Sequence, residues 1–266
     1  MRESRWTKDQ LKLAFHLYCQ IPFGKLHARN TEVMRLASLI GRTPSAVAMK
    51  LVNFASLDPA ITSTGRKGLD GASALDREIW ADFHADWEGL ALECQRLRTQ
   101  FVADVAADPM EEERLDGFDI PDDFTGETRR VLTEQRIKQN FFRRAVLASY
   151  RGRCCMSGLA EPRLLVASHI VPWKDDRANR LNPSNGLCLS AIHDRAFDQG
   201  LISLSDDWKV ILSEQLRRSE EPFVESVFKP LDGRMIELPH RFVPAAAFLQ
   251  RHRTAVFVDS RWARSA

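Results

Sequence analysis

From Thr7 to Phe101 the apolar residues recur at steps of three and four, the spacing of helices that bury one face. Leu11, Ala14, Phe15, Leu17 and Tyr18 mark the first helix. Thr7 and Gln10 are placed to form a capping box, and Trp6 and Leu11 a hydrophobic staple. Pro22 and Gly24 end it. Val33, Leu36, Ala37 and Ile40 predict a second helix over about Asn30 to Ile40, with Gly41 as the glycine just past its end. Thr43 as N-cap and Pro44 as first helical residue open a third, faced by Val47, Leu51 and Phe54. Leu75, Ile79, Phe83, Trp87, Leu90, Cys94, Leu97 and Phe101 then form one unbroken stripe, which predicts a single long amphipathic helix. That stripe must pack on the N-terminal helices, on a second copy of the chain, or on both.

The pattern then changes. Residues 104–123 concentrate acidic side chains between Pro109 and Pro121 and read as part of an inter-domain linker. Helix returns from about Glu134 to Tyr150, with Ile137, Phe141, Phe142, Val146 and Leu147 toward a second core. Arg136, Lys138, Arg143 and Arg144 are left for solvent or phosphate. An apolar strand follows from Arg163 to Ile170, stopped by Pro172 and Trp173. Asn185-Gly186 signals a turn, Leu187 to Leu189 a short strand, and Ser190 caps a helix carrying His193 and Phe197 that ends by Gly200. This is β-β-α. A hairpin (Leu201 to Leu204, Trp208 to Leu212), a strand-like piece Met235 to Leu238 and a helix from about Pro244 to Arg253 complete the chain. The fold class is α+β: helical domain over 1–105, acidic linker over 106–133, and second domain over 134–266.

Composition narrows the class. A chain of 266 residues suits two small cores better than one. The formal net charge of +2 does not announce a nucleic-acid binder, but the acidic stretch is followed directly by Arg129, Arg130, Arg136, Lys138, Arg143, Arg144, Arg151 and Arg153. Five cysteines without regular spacing argue against a disulfide framework. No leader-like apolar segment opens the chain and no window is apolar enough to span a bilayer, so the expected location is cytoplasmic.

The second and third helices, joined through Gly41-Arg42-Thr43-Pro44, look like a helix-turn-helix. Its third helix would be the reading element. Ser45, Met49, Lys50 and Asn53 are then the outward residues, and Arg42 a phosphate contact. A basic loop with Arg66 and Lys67 between glycines is a second backbone contact, and Arg143 and Arg144 a third.

Three short motifs carry chemistry: Ser168-His169-Ile170, Asn182-Pro183-Ser184-Asn185-Gly186-Leu187, and His193 followed by Phe197-Asp198-Gln199-Gly200. Their order and spacing resemble the HNH nucleases, and most closely a branch of bacterial restriction-like endonucleases. The resemblance implies a ββα-metal fold that cuts double-stranded DNA with one divalent ion. It assigns His169 as general base, since a neutral imidazole suits proton abstraction near neutral pH. Asn185 becomes the asparagine that ties the loop and orients the base. His193 becomes a metal ligand on the first turn of the helix.

The chain departs from that family pattern in two places. The residue before the base is commonly Asp or His and ligates metal; here it is Ser168, a weak ligand, so Asp194 and Asp198 become candidates to complete the site. An oxygen-rich set of this kind favours Mg²⁺ or Mn²⁺. Cys154 and Cys155 are adjacent and Cys188 stands alone, so no structural zinc is expected and all three are assigned to the core. A restriction-type endonuclease working as a homodimer, with selection of modified DNA left open, is the first reading. A DNA-binding regulatory protein with an inactive HNH unit is the alternative, kept open by Ser168.

Overall fold

A computed structural model describes residues 5–63, 71–105 and 126–259. It divides into two units, Met1–Ala145 and Val146–Ala266. The predicted Arg66 and Lys67 contacts and most of the acidic linker lie outside the described residues.

The first unit is helical. Helix α1 (Lys8–Gln20) opens with the expected capping box, Thr7 and Gln10 each accepting from the other's backbone N–H. Helices α2 (Thr31–Leu39) and α3 (Pro44–Ala55) are capped by Asn30 and Thr43. Between them Gly41 takes a positive φ of 64°, and the N–H of Arg42 reaches back to the Ala37 carbonyl at 2.9 Å. This is a Schellman closure, which needs a left-handed residue at that point. A short α4 (Pro59–Thr62) follows.

The predicted long helix is two helices, α5 (Ala74–Ala85) and α6 (Trp87–Val105). Asp86 breaks it. Its backbone leaves the helical region (φ −147°, ψ 82°), and its carboxylate accepts from the Gly89 N–H at 2.8 Å. An aspartate that caps the next helix offers the backbone an alternative to continuing the last one. The break spans a single residue, so Ile79, Phe83, Trp87 and Cys94 stay on one buried face, and the apolar stripe could not reveal it. The stripe packs on α1 and α3. Phe15 sits against Phe54, Phe83 and Trp80 with ring centroids 4.5–5.4 Å apart.

Helix α7 (Gly126–Ser149) starts eight residues before the predicted Glu134 and crosses the boundary between the units. Its apolar face does not serve the second core alone. Phe141 stacks on His16 at 5.1 Å and lies 6.2 Å from Trp87, both in the first unit.

The second unit holds two small antiparallel sheets. Strand β1 (Leu165–His169) pairs with β2 (Gly186–Ser190) in the register Ser168 to Leu187 and His169 to Gly186. Helix α8 (Ala191–Asp198) follows directly and packs on both strands. Strands β3 (Ile202–Leu204) and β4 (Val210–Leu212) form the expected hairpin. The short helices α9 (Glu214–Arg218) and α10 (Pro222–Val227) come next. Met235 makes an isolated bridge to Lys209 where a strand piece was expected. Helix α11 (Ala246–Ala255) packs against β3. No helix among the described residues is long and apolar enough to cross a membrane.

Candidate active site

The site is built where β1 ends. His169 is the last residue of that strand, and Pro172 turns the chain into a loop that returns to β2 through a 3₁₀ turn over Pro183–Asn185. His169 Nε2 donates to the carbonyl of Arg180 at 2.8 Å. A carbonyl can only accept, so the proton sits on Nε2 and the lone pair on Nδ1. The ring is in the tautomer a general base requires. Burial lowers its pKa below the ordinary histidine value, against the Arg180 carbonyl, which raises it. Burial thus favours the neutral ring, the form a general base needs.

Asn185 fixes the loop that supplies that carbonyl. It is fully buried. Its Oδ1 accepts from the Val171 N–H at 2.8 Å, and its Nδ2 donates to the Val171 carbonyl at 3.1 Å and the Asn179 carbonyl at 3.3 Å. Its backbone carbonyl also accepts from the Ile170 N–H. One side chain thus joins the strand end to the residue just before Arg180.

Next to the base, the buried Ser168 hydroxyl makes no well-formed hydrogen bond among the described residues, yet lies near enough to Asp194 to lower its carboxyl. Burial dominates at Asp194 and raises it overall. Asp198, one turn on and at the surface, is raised by desolvation and then by the Asp194 charge. Two carboxyls raised by desolvation against the opposing Arg195 charge, with the Ser168 hydroxyl at Asp194, are an oxygen donor set that a hard divalent cation would relieve. The described residues contain no group of three His, Cys, Asp or Glu disposed around one point; water would complete such a shell.

His193 is on the first turn of α8, as predicted, but its ring is buried. Nδ1 lies 2.9 Å from the Ser190 hydroxyl and 3.5 Å from Cys154 Sγ, and Phe228 packs edge-on at 5.8 Å. Nε2 has no hydrogen-bond partner among the described residues. Burial raises the Cys154 thiol, but hydrogen bonds from His193 and then Ser157 outweigh it and bring it to about 6. Cys155 and Cys188 are buried, and the Cys155 N–H donates to the Cys188 carbonyl.

The residues expected to face DNA from the first unit divide. Ser45 and Met49 are exposed. Lys50 is not outward: its ammonium is bonded to both oxygens of Asp76, at 2.9 and 3.0 Å. Asp76 is fully buried, and a buried carboxylate draws in a cation. Asn53 is buried and donates to the Gly71 carbonyl. Arg42 is held by Gln10 and the Arg5 carbonyl and lies over the Trp6 ring. Arg144 reaches Glu32 at 3.8 Å, and Arg143 is half-buried.

Two residues given no catalytic part by the sequence complete the picture. Trp173 stands edge-on to His169, centroids 5.5 Å apart, and the Arg180 guanidinium lies 5.0 Å above the Trp173 ring. Arg180 acts on His169 through a backbone carbonyl, which leaves no trace in residue identity.

A histidine at the end of a β strand, an asparagine just before the partner strand and a helix packed on both form a ββα unit. Residues 154–205 match the family model described as HNH endonuclease, and this part of the chain is an HNH domain. No curated protein matches the chain.

Proposed function

We propose that the protein is a metal-dependent DNA endonuclease of restriction type, with its chemistry at the β1–β2–α8 unit. The observation that carries this reading is the His169–Arg180 hydrogen bond, which fixes the base tautomer beside the Ser168–Asp194–Asp198 oxygen donors. His169 Nδ1 takes a proton from the water whose oxygen attacks phosphorus. The bond from phosphorus to the leaving sugar oxygen then breaks. Asp194 is the foremost ligand for Mg²⁺ or Mn²⁺, with Asp198 and the Ser168 hydroxyl as lesser donors. When bound, that ion supplies charge neutralisation at the phosphate and the leaving oxygen. In this reading the buried His193 ring, held at Nδ1 by Ser190 and Cys154, anchors the first turn of α8, and its Nε2, without a hydrogen-bond partner among the described residues, is a further ligand beside Asp194. The N-terminal helices select the target through the exposed edge of α3. Cutting both strands takes two subunits or two encounters, since each chain carries one such site.

His169→Ala is expected to abolish Mg²⁺- or Mn²⁺-dependent cleavage of duplex DNA and leave DNA affinity near that of the wild type. Cleavage unchanged in this variant would overturn the mechanism. The weak ligand Ser168 favours a second reading, a DNA-binding regulatory protein whose HNH unit is inactive. Titration with Mn²⁺ separates the two: one bound ion, lost or weakened in Asp194→Asn, supports the nuclease, and no binding supports the regulator.

A further inference from the structure

We propose that Arg251 is a positioning residue for the general base: from α11, and through Asp176, it holds the loop over residues 172–182 so that the Arg180 carbonyl stays in place against His169. The inference rests on the nuclease reading above for the identity of the reaction.

The loop between β1 and the 3₁₀ turn contains no helix or strand, yet it supplies the carbonyl that sets the base tautomer. Without regular structure, its shape depends on individual hydrogen bonds. Asn185 ties its far end by donating to the Asn179 carbonyl at 3.3 Å. The near end is tied from a different element. Arg251 donates through Nη1 to Asp176 Oδ2 at 2.8 Å and through Nη2 to the Asp175 carbonyl at 3.3 Å. Asp176 in turn accepts from the Asn179 N–H at 3.1 Å and from Asn179 Nδ2 at 3.1 and 3.2 Å. One carboxylate therefore joins Arg251 to the residue that precedes Arg180. Burial alone would raise the Asp176 carboxyl, but the Asn179 bonds and then Arg251 hold it below its ordinary value, so it meets Arg251 as a carboxylate. The helix that carries Arg251 is itself fixed to the other half of the site. His252, the next residue, stacks on Phe197 of α8 at 3.7 Å, and its Nε2 lies 3.2 Å from the Phe197 carbonyl. Adjacent residues of α11 thus reach the loop that orients the base and the helix that carries Asp194. A planar fork on two acceptors sets direction as well as distance, which a single flexible contact would not.

The test compares Arg251→Ala with Asp176→Asn in the full chain. The two variants change the loop's charge in opposite senses, so an effect exerted through DNA electrostatics has opposite signs in them. Loss of positioning has the same sign in both. Each is expected to lower the single-turnover cleavage rate roughly tenfold, with duplex DNA affinity within about threefold of the wild type. The double variant should cleave no slower than the slower single one. Arg251→Lys, which keeps the bond to Asp176 but not the second arm of the fork, should recover part of the rate. With its side chain 47% exposed, Arg251 adds little to stability, so Arg251→Ala should melt close to the wild type. Nitrogen NMR of the His169 ring, recorded without DNA or metal, should show a smaller Nε2–H population in Arg251→Ala and Asp176→Asn, since the carbonyl that selects that tautomer is loosened. Unchanged rates in both variants would overturn the proposal, as would a rate that falls in one and rises in the other. So would lowered rates with an unchanged His169 spectrum. If the wild type cuts no DNA while both variants still shift the His169 tautomer, the nuclease reading fails and the positioning role stands.

Discussion

Asn185→Ala removes the side chain on which the base's geometry depends, and its cost follows from what it leaves behind. Three hydrogen bonds are lost, to the Val171 N–H, the Val171 carbonyl and the Asn179 carbonyl. Val171 and Asn185 are both buried, so water does not readily replace them. At about 1 kcal/mol net per bond, with extra cost for the stranded Val171 N–H, the loss is about 3–4 kcal/mol. That corresponds to a fall of roughly 10 °C in the melting transition of the second unit. Asn185→Asp is the sharper probe. It keeps the acceptor for the Val171 N–H but turns an oxygen toward two carbonyls in a site without solvent. The introduced carboxyl should therefore titrate well above the usual range, and the variant should lose further stability as pH rises through that value. Both variants loosen the stretch that carries the Arg180 carbonyl, so kcat should fall much more than DNA affinity. Thermal melts, pH-dependent urea unfolding and single-turnover cleavage together check this. If Asn185→Ala melts within about 1 °C of the wild type and cleaves at the same rate, Asn185 does not organise the base.

Further outcomes follow from the same geometry. His252 is buried, stacked on Phe197 at 3.7 Å, with Nδ1 at the Ser203 hydroxyl and Nε2 donating to the Phe197 carbonyl. Burial is the main cause that lowers its pKa from 6.5 to about 4. The folded value lies below the unfolded one, so this contribution is whole above pH 6.5 and is lost as pH falls from 6.5 to 4. Its size is about 3 kcal/mol, and His252→Leu should show a correspondingly flatter dependence of urea unfolding on pH across that interval. Asp194→Asn should weaken Mn²⁺ binding at least tenfold by electron paramagnetic resonance titration, while Ser168→Ala changes it by less than threefold. A larger loss in Ser168→Ala than in Asp194→Asn would reassign the chief ligand to the serine.

Residue identity carried far into this fold where the signal was local. Thr7, Thr43 and Ser190 each cap the helix they were expected to cap, because an N-cap needs only its own side chain and the next turn. Asp86 escaped notice for the opposite reason: a one-residue break leaves the apolar face in phase, and only the aspartate's hydrogen bond to Gly89 reveals it. Lys50 and Asn53 show the same limit over distance. Their helical positions were legible, but their partners Asp76 and Gly71 come from a later segment, and a buried carboxylate overrides the outward sense of the helix. In the second unit the motif located His169, Asn185 and α8, yet identity could not show which way the His193 ring turns. Ser190 at its own cap and Cys154, 39 positions earlier, decide that. A ring pinned on that side fixes the first turn of α8 whether or not it touches an ion. Asp194, the next residue along the same turn, then becomes the helix's contribution beside Ser168. On the proposed nuclease reading, the weak ligand at Ser168 shifts cation binding onto α8, so that loosening the start of that helix is expected to lower activity.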